Sequence, residues 1–158
     1  YFIESFNKKK YDELNINTDF AQDNESKSTK GVLRGLHFQK PPYDQSKLVR
    51  CIQGKVLDVA VDIRKSSKTF GHHVAVELSA DSNKQLLIPK GFAHGFYVLS
   101  DTCIVSYKCS DFYSPEHDSG VIWNDPNLSI DWGFDKSELI ISEKDKNLDF
   151  FSNLNSPF

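Results

Sequence analysis

The stretch VLDVAVDI, residues 56–63, decides the fold that this sequence predicts. Its odd-numbered positions carry only leucine, valine and isoleucine, whereas its even-numbered positions include Asp58 and Asp62. Alternation with a period of two among β-branched residues is typical of a strand, so the odd face is predicted to pack in a core. By alternation alone the even face is expected to meet solvent, because a buried carboxylate is costly unless it lines a wet cavity.

Further strands are predicted on both sides of this stretch. Gly54-Lys55 makes a turn before it, and Asp81-Ser82-Asn83 and Ser100-Asp101 make turns after it. The strand candidates are KLVRCIQ (47–53), HHVAVELS (72–79), QLLIP (85–89), GFAHGFYVLS (91–100) and TCIVSYKCS (102–110). Short strands with regular turn signals favour an all-β sandwich or barrel.

The two ends of the chain carry weaker patterns. The opening YFIESF is expected to be a strand already under way, and because the chain contains no methionine we expect that N-terminal residues are missing. The best helical candidate spans 142–154, where Ser142 followed by charged residues can open a helical turn.

Length and composition bound the class of protein. The 158 residues predict a single domain, 1–158, with a formal net charge of −3. Because no basic face is implied, nucleic acid is not expected as a partner, and no apolar run approaches the ~18 residues of a membrane-spanning helix. Cys51, Cys103 and Cys109 lie in apolar strands without C-x-x-C spacing, which is typical of reduced core cysteines in a cytoplasmic protein.

The stretch GVLRGLHFQ, residues 31–39, raises the question of function. A lone histidine in an apolar strand, such as His37, is more often a hydrogen-bonded structural residue than a catalyst, and Arg34 should face the opposite side of a regular strand. Gly35 is predicted to supply a β-bulge that brings both side chains to one side. Taken alone, Tyr107 favours a core residue with its hydroxyl at the rim.

A metal site is the weaker hypothesis. A metal site in a β-barrel usually needs two histidines one residue apart and a nearby glutamate, but His37 is followed by Phe38-Gln39. His72 and His73 are adjacent, so they point to opposite sides of a strand. No metal or other cofactor is therefore predicted.

Several long stretches, in order across residues 31–145, resemble the dTDP-4-dehydrorhamnose 3,5-epimerases. They are GVLRGLHFQ, KLVRCIQGKVLDVAVDIRKSSKTFG, IPKGFAHGF, SYKCSDFYSPEHDSGVIWNDPNLSIDW and SEKD. The resemblance implies an all-β cupin jelly-roll barrel with short helical segments near the C-terminus, independent of metal, and a cytoplasmic homodimer. It also implies inversion at C3 and C5 of a dTDP-linked 4-keto-6-deoxyhexose by proton abstraction next to the C4 ketone, a step towards rhamnose and polysaccharides.

The resemblance also assigns roles to residues. It implies that His37 is the general base, Asp145 its paired carboxylate, Lys47 the cation that stabilises the enolate and Tyr107 the acid on the opposite face. The positions expected to contact the substrate are Arg34, Gln22, Asn24, Asp58, His94, Tyr113 and Glu4. In this family the N-terminal segment crosses to the partner subunit, and an Asp-x-Arg-Gly-like part of it would lie before residue 1.

Three alternatives stay open at this point. The nearest is an epimerase that inverts only C3 or only C5 of another nucleotide-linked 4-keto sugar. The other two are a non-catalytic cupin that binds a sugar nucleotide and a metal-dependent cupin oxygenase or isomerase. The sequence does not decide which nucleotide is bound, which final sugar is made or in which order the carbons are inverted.

Overall fold

The structure, a computed structural model, describes residues 1–134 and 138–158. Ten strands occur in this part of the chain, together with two short α-helices. The strands are β1 (Gln22–Thr29), β2 (Val32–Gln39), β3 (Lys47–Gln53), β4 (Lys55–Asp62), β5 (His73–Ser79), β6 (Gln85–Ile88), β7 (Phe92–Val98), β8 (Thr102–Cys109), β9 (Asp118–Gly120) and β10 (Ile140–Ile141). The helices are α1 (Lys8–Glu13) and α2 (Glu143–Lys146), and 3-10 turns span Pro115–His117 and Phe151–Asn153.

The strands form two sheets. The smaller sheet has the order β1-β8-β3-β6, and the larger has the order β10-β2-β7-β4-β5 with β9 paired to β2. Neighbouring strands are antiparallel except for β10, which runs parallel to β2. The all-β prediction and the strands predicted from alternation are confirmed.

Both chain ends differ in part from the sequence prediction. The strand predicted for YFIESF is wrong: residues 1–7 pair with no described strand, and α1 follows, with the side chain of Asn7 accepting a hydrogen bond from the Lys10 amide (3.3 Å). The helical pattern at 142–154 forms only α2 and, later, a 3-10 turn. Ser142 caps α2 as predicted, because its Oγ accepts from the Asp145 amide at 3.1 Å.

The hydrophobic core lies in two layers on the two faces of the larger sheet. Between the sheets, Val56 and Ala60 of β4 pack with Val49 and Val105 of the smaller sheet. On the other face, the odd-numbered residues of β4, represented by Val59, join a cluster with residues 121–132. The C-terminal third of the chain therefore covers the outer face of the larger sheet.

The expectation that the even face of β4 meets solvent is wrong. Asp58 and Asp62 are 0% and 1% exposed, because this face of β4 points away from solvent. Asp58 makes hydrogen bonds with His94, and Asp62 makes hydrogen bonds with residues of the loop that follows β4. Asp62 Oδ2 accepts from Arg64 Nη2 (2.7 Å), Ser67 Oγ (2.6 Å) and Thr69 Oγ1 (2.7 Å). Burial alone would raise the pKa of Asp62, but these hydrogen bonds hold it well below its ordinary value, so the carboxylate is buried in ionised form.

Strands β2 and β7 approach each other closely at a pair of glycines. Arg34 pairs with Phe96 and His37 pairs with His94, so β2 carries one more residue than β7 between these two pairs. A Cβ atom on Gly35, whose φ is +112°, would lie 2.5 Å from Gly95 Cα. The bulge predicted at Gly35 is confirmed, and it requires glycine on both strands.

Replacing Gly95 with alanine is expected to destabilise the fold. The new Cβ would lie 2.6 Å from the Arg34 carbonyl oxygen, so the strands must separate, at a cost of about 3 kcal/mol. Gly133→Ala is the control: nothing lies within 4 Å of its Cβ position, and its φ of +67° alone should cost about 1 kcal/mol. Urea unfolding measures both free energies, and equal losses in the two variants would contradict the close approach.

Candidate active site

A cavity of about 530 Å³ is lined by residues of both sheets and of α2. Nine of the eleven side chains predicted for the site line it. They are Gln22, Asn24, Arg34, His37, Lys47, His94, Tyr107, Tyr113 and Asp145. Arg34 and His37 therefore reach the same cavity, as the bulge at Gly35 allows.

His37 and Asp145 form a hydrogen-bonded imidazole–carboxylate pair at one wall of the cavity. His37 Nε2 lies 3.0 Å from Asp145 Oδ1, and the Gly35 amide donates to Asp145 Oδ2 at 3.1 Å. Burial by itself would raise the pKa of Asp145, but the hydrogen bonds from His37 and Gly35 hold it below its ordinary value. The carboxylate is thus fixed in its ionised form, where it orients the imidazole and stabilises an imidazolium.

The other ring nitrogen of His37 has no such partner. Its Nδ1 atom is buried and makes no hydrogen bond to any residue in the described part of the chain. Because Asp145 favours the tautomer with the proton on Nε2, Nδ1 carries the free lone pair. A buried, unpaired acceptor is uncommon in folded proteins and points to a functional role.

A second imidazole–carboxylate pair stands beside the first. His94 is the cross-strand partner of His37, and its Nε2 lies 2.9 and 3.0 Å from the two carboxylate oxygens of Asp58. Asp58 was expected to contact the substrate, but it is fully buried and lies behind His94 rather than in the cavity wall. The structure therefore places Asp58 as the residue that orients His94.

The opposite wall carries a lysine and a tyrosine. Lys47 lies on β3 and Tyr107 on β8, which are neighbouring strands of the smaller sheet. Burial lowers the pKa of Lys47. Burial also raises the pKa of Tyr107, although the Arg34 guanidinium opposes this shift. The cavity thus places His37 and His94 on one sheet, and an ammonium and a phenol on the other.

Three side chains interact at the more exposed end of the cavity. Tyr113 Oη donates to Asp118 Oδ2 at 3.1 Å, and the Lys144 ammonium donates to the same carboxylate oxygen. The Tyr113 amide donates to Gln22 Oε1 at 3.0 Å, which ties this end to β1. The Tyr113 side chain is 56% exposed, so its ring is available as a flat surface for a ligand.

Several lining residues were missed from the sequence. They are Ser26, Phe38, Gln39, Gln45, Gly95, Phe96, Asp118, Ser142 and Lys144. Two carried a usable signal: Gln39 lies two residues after His37 in the same strand, and Lys144 precedes Asp145 in a short helix. Asp118 comes from β9, which gave no strand pattern in the sequence.

Glu4, like Asp58, is a predicted site residue that does not line the cavity of its own chain. Its carboxylate pairs with the Lys10 ammonium at 2.7 Å, and the hydrogen bonds from Lys10 and Asn7 lower the pKa of Glu4. Its predicted contact with substrate stays a prediction.

Two negative observations bear on the remaining alternatives. Across residues 1–134 and 138–158, no group of three or more histidine, cysteine, aspartate or glutamate side chains is arranged to hold a metal ion. Within the same residues, no helix has the length and apolar character needed to cross a bilayer.

Comparison with known proteins defines the class first: the chain has the fold of the cupin-type epimerases of sugar nucleotides. The family model described as dTDP-4-dehydrorhamnose 3,5-epimerase matches residues 1–153. The chain belongs to this family, as the sequence motifs implied, and the predicted cupin-type fold is confirmed.

The similarity extends over nearly the whole chain. The dTDP-4-dehydrorhamnose 3,5-epimerase of Methanothermobacter thermautotrophicus is 53% identical over 148 residues, which cover 93% of this chain and 80% of the relative. The crystal structure of the enzyme of that name from Elizabethkingia anophelis matches with a TM-score of 0.94 and 52% identity, over 98% of this chain and 85% of the other. A dTDP-6-deoxy-D-glucose-3,5-epimerase from Legionella pneumophila, solved with dTDP-4-keto-L-rhamnose, matches with a TM-score of 0.93 and 48% identity over 98% and 81%.

Proposed function

We propose that residues 1–158 form a single epimerase domain that converts dTDP-4-dehydro-6-deoxy-D-glucose to dTDP-4-dehydro-L-rhamnose by inverting C3 and C5. The observation that carries this proposal is the placement of the His37–Asp145 pair on one cavity wall and of Tyr107 on the other. The names of the relatives and the ligand in the Legionella pneumophila structure support the choice of substrate.

The reaction begins with removal of a proton by His37. The hydrogens on C3 and C5 are both adjacent to the C4 ketone, so the electrons of the broken C–H bond move to the C4 oxygen as an enolate. The proton passes to the imidazole, and the adjacent carboxylate of Asp145 stabilises the imidazolium that forms. Neither His37 nor Asp145 requires a cofactor for this step.

Lys47 stabilises the enolate. Its ammonium is removed from bulk water in the cavity, which is why burial lowers its pKa. Negative charge developing on the C4 oxygen offsets this cost, and the attraction is stronger in a cavity than in bulk water. The lysine therefore stabilises the transition state more than the neutral ketone.

Tyr107 returns a proton to the opposite face of the carbon. Because burial raises the pKa of Tyr107, the phenol is protonated at neutral pH and is ready to donate. The Arg34 guanidinium stabilises the phenolate that is left. Abstraction at one sheet and donation from the other inverts the stereocentre.

The other lining residues bind the substrate. Arg34 and Lys144 place cationic groups at the cavity, which suits a diphosphate. Tyr113, at the exposed end, stacks on the nucleotide base. Gln22, Asn24 and His94 supply polar contacts.

The alternative activity is inversion of one carbon only. C3 and C5 lie on either side of the same ketone, so the same base, acid and cation serve either position. The conversion of the named substrate requires both, whereas a single-position epimerase on another 4-keto sugar would use one.

Proton NMR in deuterium oxide tests the proposal directly. The wild-type protein should incorporate deuterium at C3 and at C5 with inversion of both, and His37→Ala should reduce exchange at both by about 10³-fold, because the general base is lost. The exposed His72→Ala serves as the control and should not change exchange. Exchange at one carbon only would establish the alternative activity, and undiminished turnover in His37→Ala would exclude His37 as the base.

The pH dependence of the reaction rate distinguishes the role of Lys47 from that of Tyr107. Lys47 acts as the protonated ammonium, and burial lowers its pKa in the protein without ligand, so kcat/KM should fall as the pH rises through that lowered pKa. Burial raises the pKa of Tyr107, so the phenol keeps its proton through this pH range. In Lys47→Arg, which cannot lose its charge, the alkaline fall should move to higher pH, whereas Tyr107→Phe should lower kcat without moving it. If Lys47→Arg lost activity at the same alkaline pH as the wild type, a group other than Lys47 would be responsible for that loss.

We also infer that the protein acts in the cytoplasm as a homodimer with exchanged N-terminal segments. The exposed side chains of Tyr1 and Phe2 support a partner surface near the N-terminus, and Glu4 lies outside the cavity of its own chain. The three buried, free thiols fit a reducing compartment.

Complementation between inactive chains tests the exchange. Co-expressed His37→Ala and Glu4→Ala chains should regain activity, because a mixed dimer has one site with an intact His37 and an intact Glu4 from the partner. Sedimentation should give a particle of twice 18.0 kDa. A mixture with no activity above that of the separate variants, in a confirmed dimer, would show that Glu4 does not act across the interface.

A further inference from the structure

The segment that carries Tyr113 belongs to no helix or strand. Residues 111–114 lie between the end of β8 and the 3-10 turn at Pro115–His117. Because the backbone of such a segment makes no ladder of hydrogen bonds, its N–H and C=O groups need other partners. The place of Tyr113 at the cavity therefore depends on the groups that pair with this stretch of backbone.

One buried side chain, Gln39, holds the backbone on both sides of Tyr113. Its Nε2 donates to the Phe112 carbonyl at 3.1 Å, and its Oε1 accepts from the Ser114 amide at 2.7 Å. The same Nε2 also donates to the carbonyl of Tyr43, in the loop between β2 and β3. Because only 6% of Gln39 is exposed, water competes little for these hydrogen bonds.

The contacts of Gln39 are those of a positioning residue and not of a residue that binds the ligand. Both hydrogens of its Nε2 are donated to backbone carbonyls, so the side-chain amide has no donor left for a substrate. Although the side chain lines the cavity, its amide group links one part of the protein to another.

Two further glutamines hold the same segment. Gln45 Nε2 donates to the Asp111 carbonyl at 2.7 Å, and Gln22 Oε1 accepts from the Tyr113 amide at 3.0 Å. Each of them holds one backbone group of the segment, whereas Gln39 holds two. The loss of Gln39 should therefore loosen the segment more than the loss of either of the others.

We propose that Gln39 is a positioning residue of this active site, which fixes the backbone of Tyr113 so that its ring stands where the nucleotide base binds. This inference rests on the function proposed above, in which Tyr113 stacks on the base. A ring that is held in place before the ligand arrives loses less conformational freedom on binding, so the affinity is higher. Gln39 also lies two residues after His37 in β2, so one strand aligns the proposed base with the nucleotide end of the cavity.

A double-mutant cycle on dTDP binding, measured by calorimetry on the full chain, tests this role. Tyr113→Ala should weaken dTDP binding about tenfold, because one stacking contact with the base is lost. Gln39→Met, which keeps a side chain of similar length without its hydrogen bonds, should weaken dTDP binding about fivefold. In the Tyr113→Ala background, Gln39→Met should cause no further loss, because Gln39 acts through Tyr113.

Steady-state kinetics give a second readout. Gln39→Met should raise KM and leave kcat within about twofold of the wild-type value, because the proposed base, acid and cation are unchanged. Should Gln39→Met fail to fold, Gln39→Ala leaves room for water to pair with the freed backbone groups and should show the same effects. A fall in kcat with KM unchanged would contradict the role in positioning Tyr113.

The matched control is Gln53→Met. Gln53 also ends a strand, β3, but its Nε2 donates to Thr102 Oγ1 at 3.1 Å on the exposed surface, so dTDP affinity and KM should not change. If the wild type binds dTDP and Gln39→Met binds it equally well, the role of Gln39 alone is overturned. An equal loss from Gln39→Met with and without the Tyr113 ring would also overturn it. A wild type that does not bind dTDP would overturn the proposed function, and this role with it.

Discussion

The close approach of β2 and β7 at Gly35 and Gly95 is the constraint on which the site depends. Neither position has room for a Cβ atom, because each faces the backbone of the other strand. The bulge turns the Gly35 amide towards Asp145 and lets Arg34 and His37 reach the same cavity. It also leaves His37 directly opposite His94, so the two imidazole–carboxylate pairs stand side by side. A local backbone irregularity thus determines where the charges of the site lie.

Burial has opposite effects on the two walls of the cavity. At the wall formed by the larger sheet, Asp145 of α2 keeps its charge because the Gly35 amide and the His37 side chain of β2 donate hydrogen bonds to it. On the smaller sheet, no hydrogen bond from the described residues compensates Lys47 or Tyr107 in this way, so burial lowers the pKa of the first and raises that of the second. The protein therefore keeps Asp145 negatively charged beside the proposed base. The pKa values of Lys47 and Tyr107, on the opposite wall, respond to the charge of a bound ligand.

The sequence predicted the strands well because alternation records which residues face the core. It predicted the bulge because Gly35 lies between Arg34 and His37, which a regular strand would place on opposite sides. Alternation did not predict the environment of Asp58, since a face that meets solvent and a face that meets a second sheet have the same period. YFIESF alternates like a strand, but none of the described strands pairs with it. Strand pairing depends on residues that are far apart in the sequence, so a local pattern does not predict it. The residues matched through the family motifs mostly reach the cavity, whereas Asp118 and Lys144, which are 26 positions apart, meet through a contact that no local pattern encodes.

Inversion of a carbon needs a base and an acid on opposite faces of the substrate, and one sheet offers only one face to a cavity. Two facing sheets offer two faces: the proposed base, His37, belongs to one sheet and the proposed acid, Tyr107, to the other. Because C3 and C5 flank the same ketone, a cation at the C4 oxygen serves the inversion of both carbons. The two-sheet geometry therefore suits an inversion at either carbon next to the ketone.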